Sequence, residues 1–101
     1  MRHVELALRP DETLLKGEWI VSASGVVGDE TCKRVEALTT DVLEHLANDT
    51  SGWESLFRDP ADSRLWELYY SRGEMHGGGP PGLRNLTELQ ARSKYQFPTT
   101  P

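Results

Sequence analysis

The residues best placed to do chemistry lie in one run, His76-Gly77-Gly78-Gly79-Pro80-Pro81-Gly82. Gly77, Gly79 and Gly82 match the G-x-G-x-x-G spacing of a dinucleotide-binding loop, in which backbone amides at a helix N-terminus meet a pyrophosphate. Pro80 and Pro81 oppose that use, because each lacks an N–H and no long helix follows directly. His76 with three glycines also resembles the oxyanion-hole loop of some lipases and esterases. That loop serves a Gly-x-Ser-x-Gly nucleophile elbow, and the chain contains no such pentapeptide. Two readings remain for the segment: a rigid connection that re-aims the chain, or a partner-contacting loop with His76 on its rim.

The other reactive residues are dispersed. His3, His45 and His76 are far apart in sequence, and the single cysteine, Cys32, has no second thiol with which to hold a metal or form an internal disulfide. Cys32 falls in a helical pattern and reads as a small core residue; His45 falls on the solvated side of the same pattern. Asp59, Asp62 and Arg64 cluster, and paired carboxylates can do acid–base work when one is desolvated. Turn chemistry explains them more simply, since Asp before Pro starts turns and Asp side chains bond nearby amides. Trp66 reads as core; Trp19 and Trp53 each begin a strand and read as core or as aromatic anchors for a partner. No catalytic constellation assembles, and no cofactor or metal is expected.

These residues must be positioned by short elements. Leu6, Leu8, Leu14 and Leu15 would anchor an arm or helical turn. Residues 17–22 read as a strand, 23–25 as a turn and Val26-Val27 as a short return strand. Asp29 is a good N-cap for a helix running to about residue 49. Its apolar positions Cys32, Val35, Leu38, Val42, Leu43 and Leu46 fall within an arc of about 140°, leaving Glu30, Lys33, Arg34, Asp41, Glu44 and Asn48 outside. Residues 53–58 and 64–72 read as two strands of a hairpin, with Trp66, Leu68 and Tyr70 alternating onto the core face. A short helix capped by Thr87 follows the glycine–proline run. The pattern predicts an α+β fold: a small antiparallel sheet of about four strands, one long helix packed on one face and a short C-terminal helix.

The 101 residues suffice for one domain (1–101, with 1–7 and 98–101 read as frayed ends). Hydrophobic residues make up 37% and charged residues 27%, as in globular domains, and no apolar run approaches the ~20 residues that span a bilayer. The start has an early acid and no apolar h-region, which argues against a signal peptide and, with the lone cysteine, for the cytoplasm. The net charge of −5 resides in residues 1–50, which hold five Lys or Arg against ten Asp or Glu; residues 51–101 hold six of each. This balance opposes nucleic-acid binding, which needs a basic stripe. It suits a basic protein partner as well as ordinary solubility.

Several stretches together carry a family resemblance: Leu14 with Glu18-Trp19-Ile20, Gly28-Asp29-Glu30 with Cys32-Lys33-Arg34-Val35-Glu36 and Leu38, Trp66-Glu67-Leu68, residues 76–81, and Lys94-Tyr95. Over roughly residues 8–95 the chain resembles the immunity protein 27 family of bacterial polymorphic toxin systems. The resemblance implies a cytoplasmic, non-enzymatic protein that needs no cofactor and protects its producer by binding a cognate toxin domain. An acidic helix face suits steered binding to a basic toxin such as a nuclease, with contacts at Glu30, Asp41 and Glu44 and at the loop rim, His76. Neither a nucleic acid nor a membrane is expected as partner. The rival readings are a small ligand-binding module or enzyme using the residue 76–82 loop, and a structural adaptor.

Overall fold

The structure is a computed structural model that describes residues 6–23, 25–70 and 79–97. Its fold class is the expected α+β. Five strands form one antiparallel sheet in the order β1 (Leu14–Lys16), β7 (Pro81–Leu86), β6 (Leu65–Tyr70), β5 (Ser55–Arg58), β4 (Glu44–Asn48). A separate two-stranded ribbon, β2 (Trp19–Ser22) and β3 (Gly25–Gly28), precedes helix α1 (Glu30–Ala37), and α2 (Glu88–Lys94) closes the fold. The ribbon and the β5–β6 hairpin arise where alternation and turn residues predict them. The Asp59–Arg64 turn is held by Asp59 accepting from the Ala61 amide (2.9 Å) and Asp62 from the Arg64 amide (3.1 Å).

Register places side chains on two faces. Leu15, Leu83, Trp66 and Phe57 share one face and pack with Val35, Leu38 and Leu43 beneath α1. Trp66 is the largest fully buried side chain and centres this core. Leu56, Leu65 and Leu86 lie on the other face, where they pack with Ala91 and Tyr95 of the α2 region. The sheet is therefore covered from both sides, so α2 lies opposite the longer helix.

Two expectations fail in instructive ways. The helix does not run to residue 49. Asp29 caps α1 as expected, accepting from the Cys32 amide at 2.9 Å. After Ala37 the chain widens into one π turn, Leu38–Val42, closed by the Leu43 amide donating to the Leu38 carbonyl (2.8 Å). It then becomes strand β4. Leu43 joins the α1-side core, whereas Leu46 and Ala47 join the α2-side core. One helical stripe cannot reach both faces of a sheet; a bulged edge strand can, and the register shifts between His45 and Ala47.

The second miss is β7. Residues expected as loop and helix start form a strand between β1 and β6. Pro81 is its first residue, where a missing N–H is tolerated, and its carbonyl accepts from the Gly17 amide (3.1 Å). Gly82 is required: a Cβ there would sit 2.7 Å from the Leu15 carbonyl oxygen and 2.7 Å from Cζ of Tyr69, its partner across the register. The C-terminal helix starts at Glu88, with Thr87 and Gln90 forming a reciprocal capping box.

Candidate functional site

The acidic residues singled out from the sequence occupy two elements. Glu30 is the first residue of α1, exposed, with its carboxylate 3.6 Å from Lys33 Nζ. Asp41 lies in the π turn and lines an open groove of about 310 Å³ with Lys33, Glu36, Ala37 and Thr40. Both project from one continuous helical segment. Glu44 does not share that helix, because the chain has already become β4; it accepts from Arg58 Nη2 (2.7 Å) and Nε (3.1 Å) across the strand pair. His76 and the first glycines of its run lie outside the described residues, as do the expected frayed tail 98–101 and residues 1–5. Pro80 is fully buried, and Pro81 and Gly82 belong to β7.

The polar side of α1 also changes character. Arg34, expected in solvent, turns inward and donates to Glu12 through Nη1 and Nη2, each at 2.7 Å, while Nη2 also donates to the Ala7 carbonyl (2.6 Å). The hydrogen bonds from Arg34 outweigh the effect of burial and hold the Glu12 carboxyl down to about 2. Removing Arg34 from solvent leaves Glu30, Glu36 and Asp41 with Lys33 alone on the outer side, so this surface is more acidic than the sequence pattern suggested. His45 stands on β4 rather than on a helix, pairs with Asn48 Oδ1 (2.8 Å) and meets Phe57 edge-on. Cys32 is buried against Gly28, and burial raises its thiol above the usual range. Trp19 and Trp53 are exposed, Trp53 standing edge-on to Tyr70 in the β4–β5 connection.

A second cluster, which sequence reasoning missed, lies between the sheet and α2. Glu67 of β6 is only 2% exposed. Its Oε1 accepts from Arg84 Nε at 2.6 Å, and its Oε2 accepts from the Tyr95 hydroxyl at 2.6 Å and from Lys94 Nζ at 2.7 Å. Lys94 also bonds Glu54, and Arg84 Nη2 lies 3.6 Å from that carboxylate while its guanidinium covers the Tyr69 ring. Two carboxylates thus face two cations and a phenol. Burial alone would raise the Glu67 carboxyl, but the three hydrogen bonds together hold it below the ordinary glutamate value. Burial, then the bond to Glu67, pushes the Tyr95 phenol up.

Both Glu67 oxygens are occupied, and the cations that occupy them keep the carboxylate ionised. Its work is mechanical: it fastens the end of α2 to β6 and β7. The available signal was a lone charge between Trp66 and Leu68 on a strand, together with the Lys94-Tyr95 pair. Among the described residues, no group of three or more His, Cys, Asp or Glu could hold a metal ion.

Searches of curated proteins and of solved structures give no match. A family model described as immunity protein 27 matches residues 21–87, from the β2–β3 ribbon through β7. That match covers well over half of the chain, so this protein belongs to the immunity protein 27 family.

Proposed function

We propose that the chain binds a cognate bacterial toxin domain in the cytoplasm of the producing cell and neutralises it by direct contact, without catalysis. Membership of the immunity protein 27 family carries this reading. The outer surface of α1 and its π turn supports a place for the contact. Glu36 and Asp41 line a groove able to seat partner side chains, Glu30 pairs with Lys33 of the same groove, and Glu44 follows on β4. A net charge of −5 concentrated in this half of the chain would steer a basic partner, such as a nuclease domain, toward it. His76, outside the described residues, is proposed as a further contact. No helix among the described residues is long and apolar enough to cross a membrane.

Co-expression with the toxin domain encoded by the adjacent gene tests the function. Rescue from toxicity together with co-purification is the expected result, and failure of both refutes the reading. The triple variant Glu30→Lys, Asp41→Lys, Glu44→Lys tests the surface. Its affinity should fall by at least about 10-fold at low salt, and the salt dependence of binding should flatten. Unchanged affinity and salt dependence would remove this surface from the interface.

A further inference from the structure

The β2–β3 ribbon stands apart from the five-stranded sheet, and each of its strands pairs only with the other. Register puts Ile20 opposite Val27 and Val21 opposite Val26, so both of its faces are apolar. These side chains are not packed away: Val21 is 86% exposed and Val26 64% exposed, and Trp19, Ile20 and Val27 are also exposed. No charge or proline interrupts Trp19 through Gly28, although exposed strand edges are normally guarded by such residues. Of the two edge strands of the five-stranded sheet, β1 and β4, the latter does have such a guard, its bulge between His45 and Ala47. At its base the Asp29 amide donates to the Glu18 carbonyl (3.0 Å) and Gly28 sits against Cys32, fastening the ribbon to the start of α1. Its strands of four residues make a wedge about 13 Å long.

We infer that this ribbon is the apolar anchor of the interface with the toxin domain, inserting between basic residues that border an apolar cleft on the partner. The inference rests on the proposed function and specifies the chemistry of the contact. Charge decides between the two candidate occupants. Residues 17–30 contain Glu18, Asp29 and Glu30 and no lysine or arginine, and the half of the chain that bears the ribbon carries the whole net charge of −5. A second copy of the chain would bring like charge against like, whereas a basic partner gains from the same approach. β3 also leads directly into Glu30, so the ribbon is continuous with the acidic surface of α1. An apolar centre with a charged border is the usual anatomy of a protein interface.

The test is a calorimetric titration of an inactivated form of the adjacent-gene toxin domain with wild type and with Val21→Thr/Val26→Thr. Threonine keeps the branched Cβ that strands favour, and both positions are exposed, so the urea midpoint of the variant should match wild type. The expected result is an affinity loss of at least 10-fold that persists at high salt. Binding within 3-fold of wild type overturns the ribbon as anchor while leaving the proposed function standing. Absence of wild-type binding overturns both. Sedimentation velocity of the chain alone supplies the remaining outcome: a wild-type dimer that becomes monomeric in the variant assigns the ribbon to self-association and overturns the inference.

Discussion

Replacing Glu67 with glutamine tests whether the buried carboxylate cluster holds the C-terminal helix. The side chain keeps its shape and loses its charge. Tyr95, buried on the α2 side, exchanges a charge-assisted hydrogen bond for a neutral one, and hydrogen bonds to charged groups contribute about 1.5–3 kcal/mol against about 1 for neutral ones. Removing one member of a fully buried ion pair costs about 3–5 kcal/mol. Here the side chains of Arg84 and Lys94 are 43% and 35% exposed, and both retain Glu54, so they recover hydration and part of their pairing. The loss should therefore be about 2–3 kcal/mol, a large share of the 5–15 kcal/mol typical of a domain. In urea titrations the midpoint should fall with an unchanged slope. In calorimetry the melting temperature should drop by roughly 10–20 °C for a chain of this size.

The pH dependence gives an independent check. The folded Glu67 carboxyl lies below its ordinary value. Its stabilisation is therefore present above the unfolded value and lost as pH falls through the folded one. The gap between wild type and E67Q should be widest near neutrality and shrink on acidification. An unfolding free energy within about 0.5 kcal/mol of wild type, with superimposable acid limbs, would refute the clamp.

Two further predictions follow from close contacts elsewhere. Glu12→Gln should cost about 1–2 kcal/mol at pH 7, allowing for solvent screening of the Arg34 pair. Because the Glu12 carboxyl is held at about 2, against 4.5 when free, the difference should fade as pH falls from about 4.5 toward 2, and a pH series of urea midpoints checks it. Gly82→Ala should destabilise by about 1–3 kcal/mol, because its methyl would meet the Leu15 carbonyl and the Tyr69 ring at 2.7 Å in a central strand; an unchanged melting temperature would contradict the close approach.

Local signals were legible wherever neighbours in sequence decide the outcome. The Asp29 cap, the Thr87 cap, the turn at Asp59, the apolar ribbon at residues 19–28 and the buried Trp66 all rest on residues a few positions apart or on alternation within one strand. β7 was hidden because Arg84 and Asn85 look like solvent residues. Arg84 is bound by Glu67, and the Asn85 side-chain amide donates to the Leu65 carbonyl at 2.8 Å. Their partners lie about twenty residues away, beyond any local pattern. The same distance hid the Glu67 cluster, whose members come from β6, β7, α2 and the β4–β5 connection.

By itself the sequence determined the fold class, the family, the β2–β3 and β5–β6 hairpins, the start of α1 and the concentration of acid in the N-terminal half, since these depend on composition, turn chemistry and short-range periodicity. Tertiary structure decided where α1 ends. Val42, Leu43, Leu46 and Ala47 satisfy a helical period, yet two cores lie on opposite sides of the sheet, and only an extended edge strand delivers Leu43 to one and Leu46 to the other. It also decided which charges remain available on the surface. Arg34 and Glu67 look alike on paper as exposed polar residues; each found an opposite charge from a distant segment and was drawn inward, and the turn of Arg34 leaves the outer side of α1 acidic.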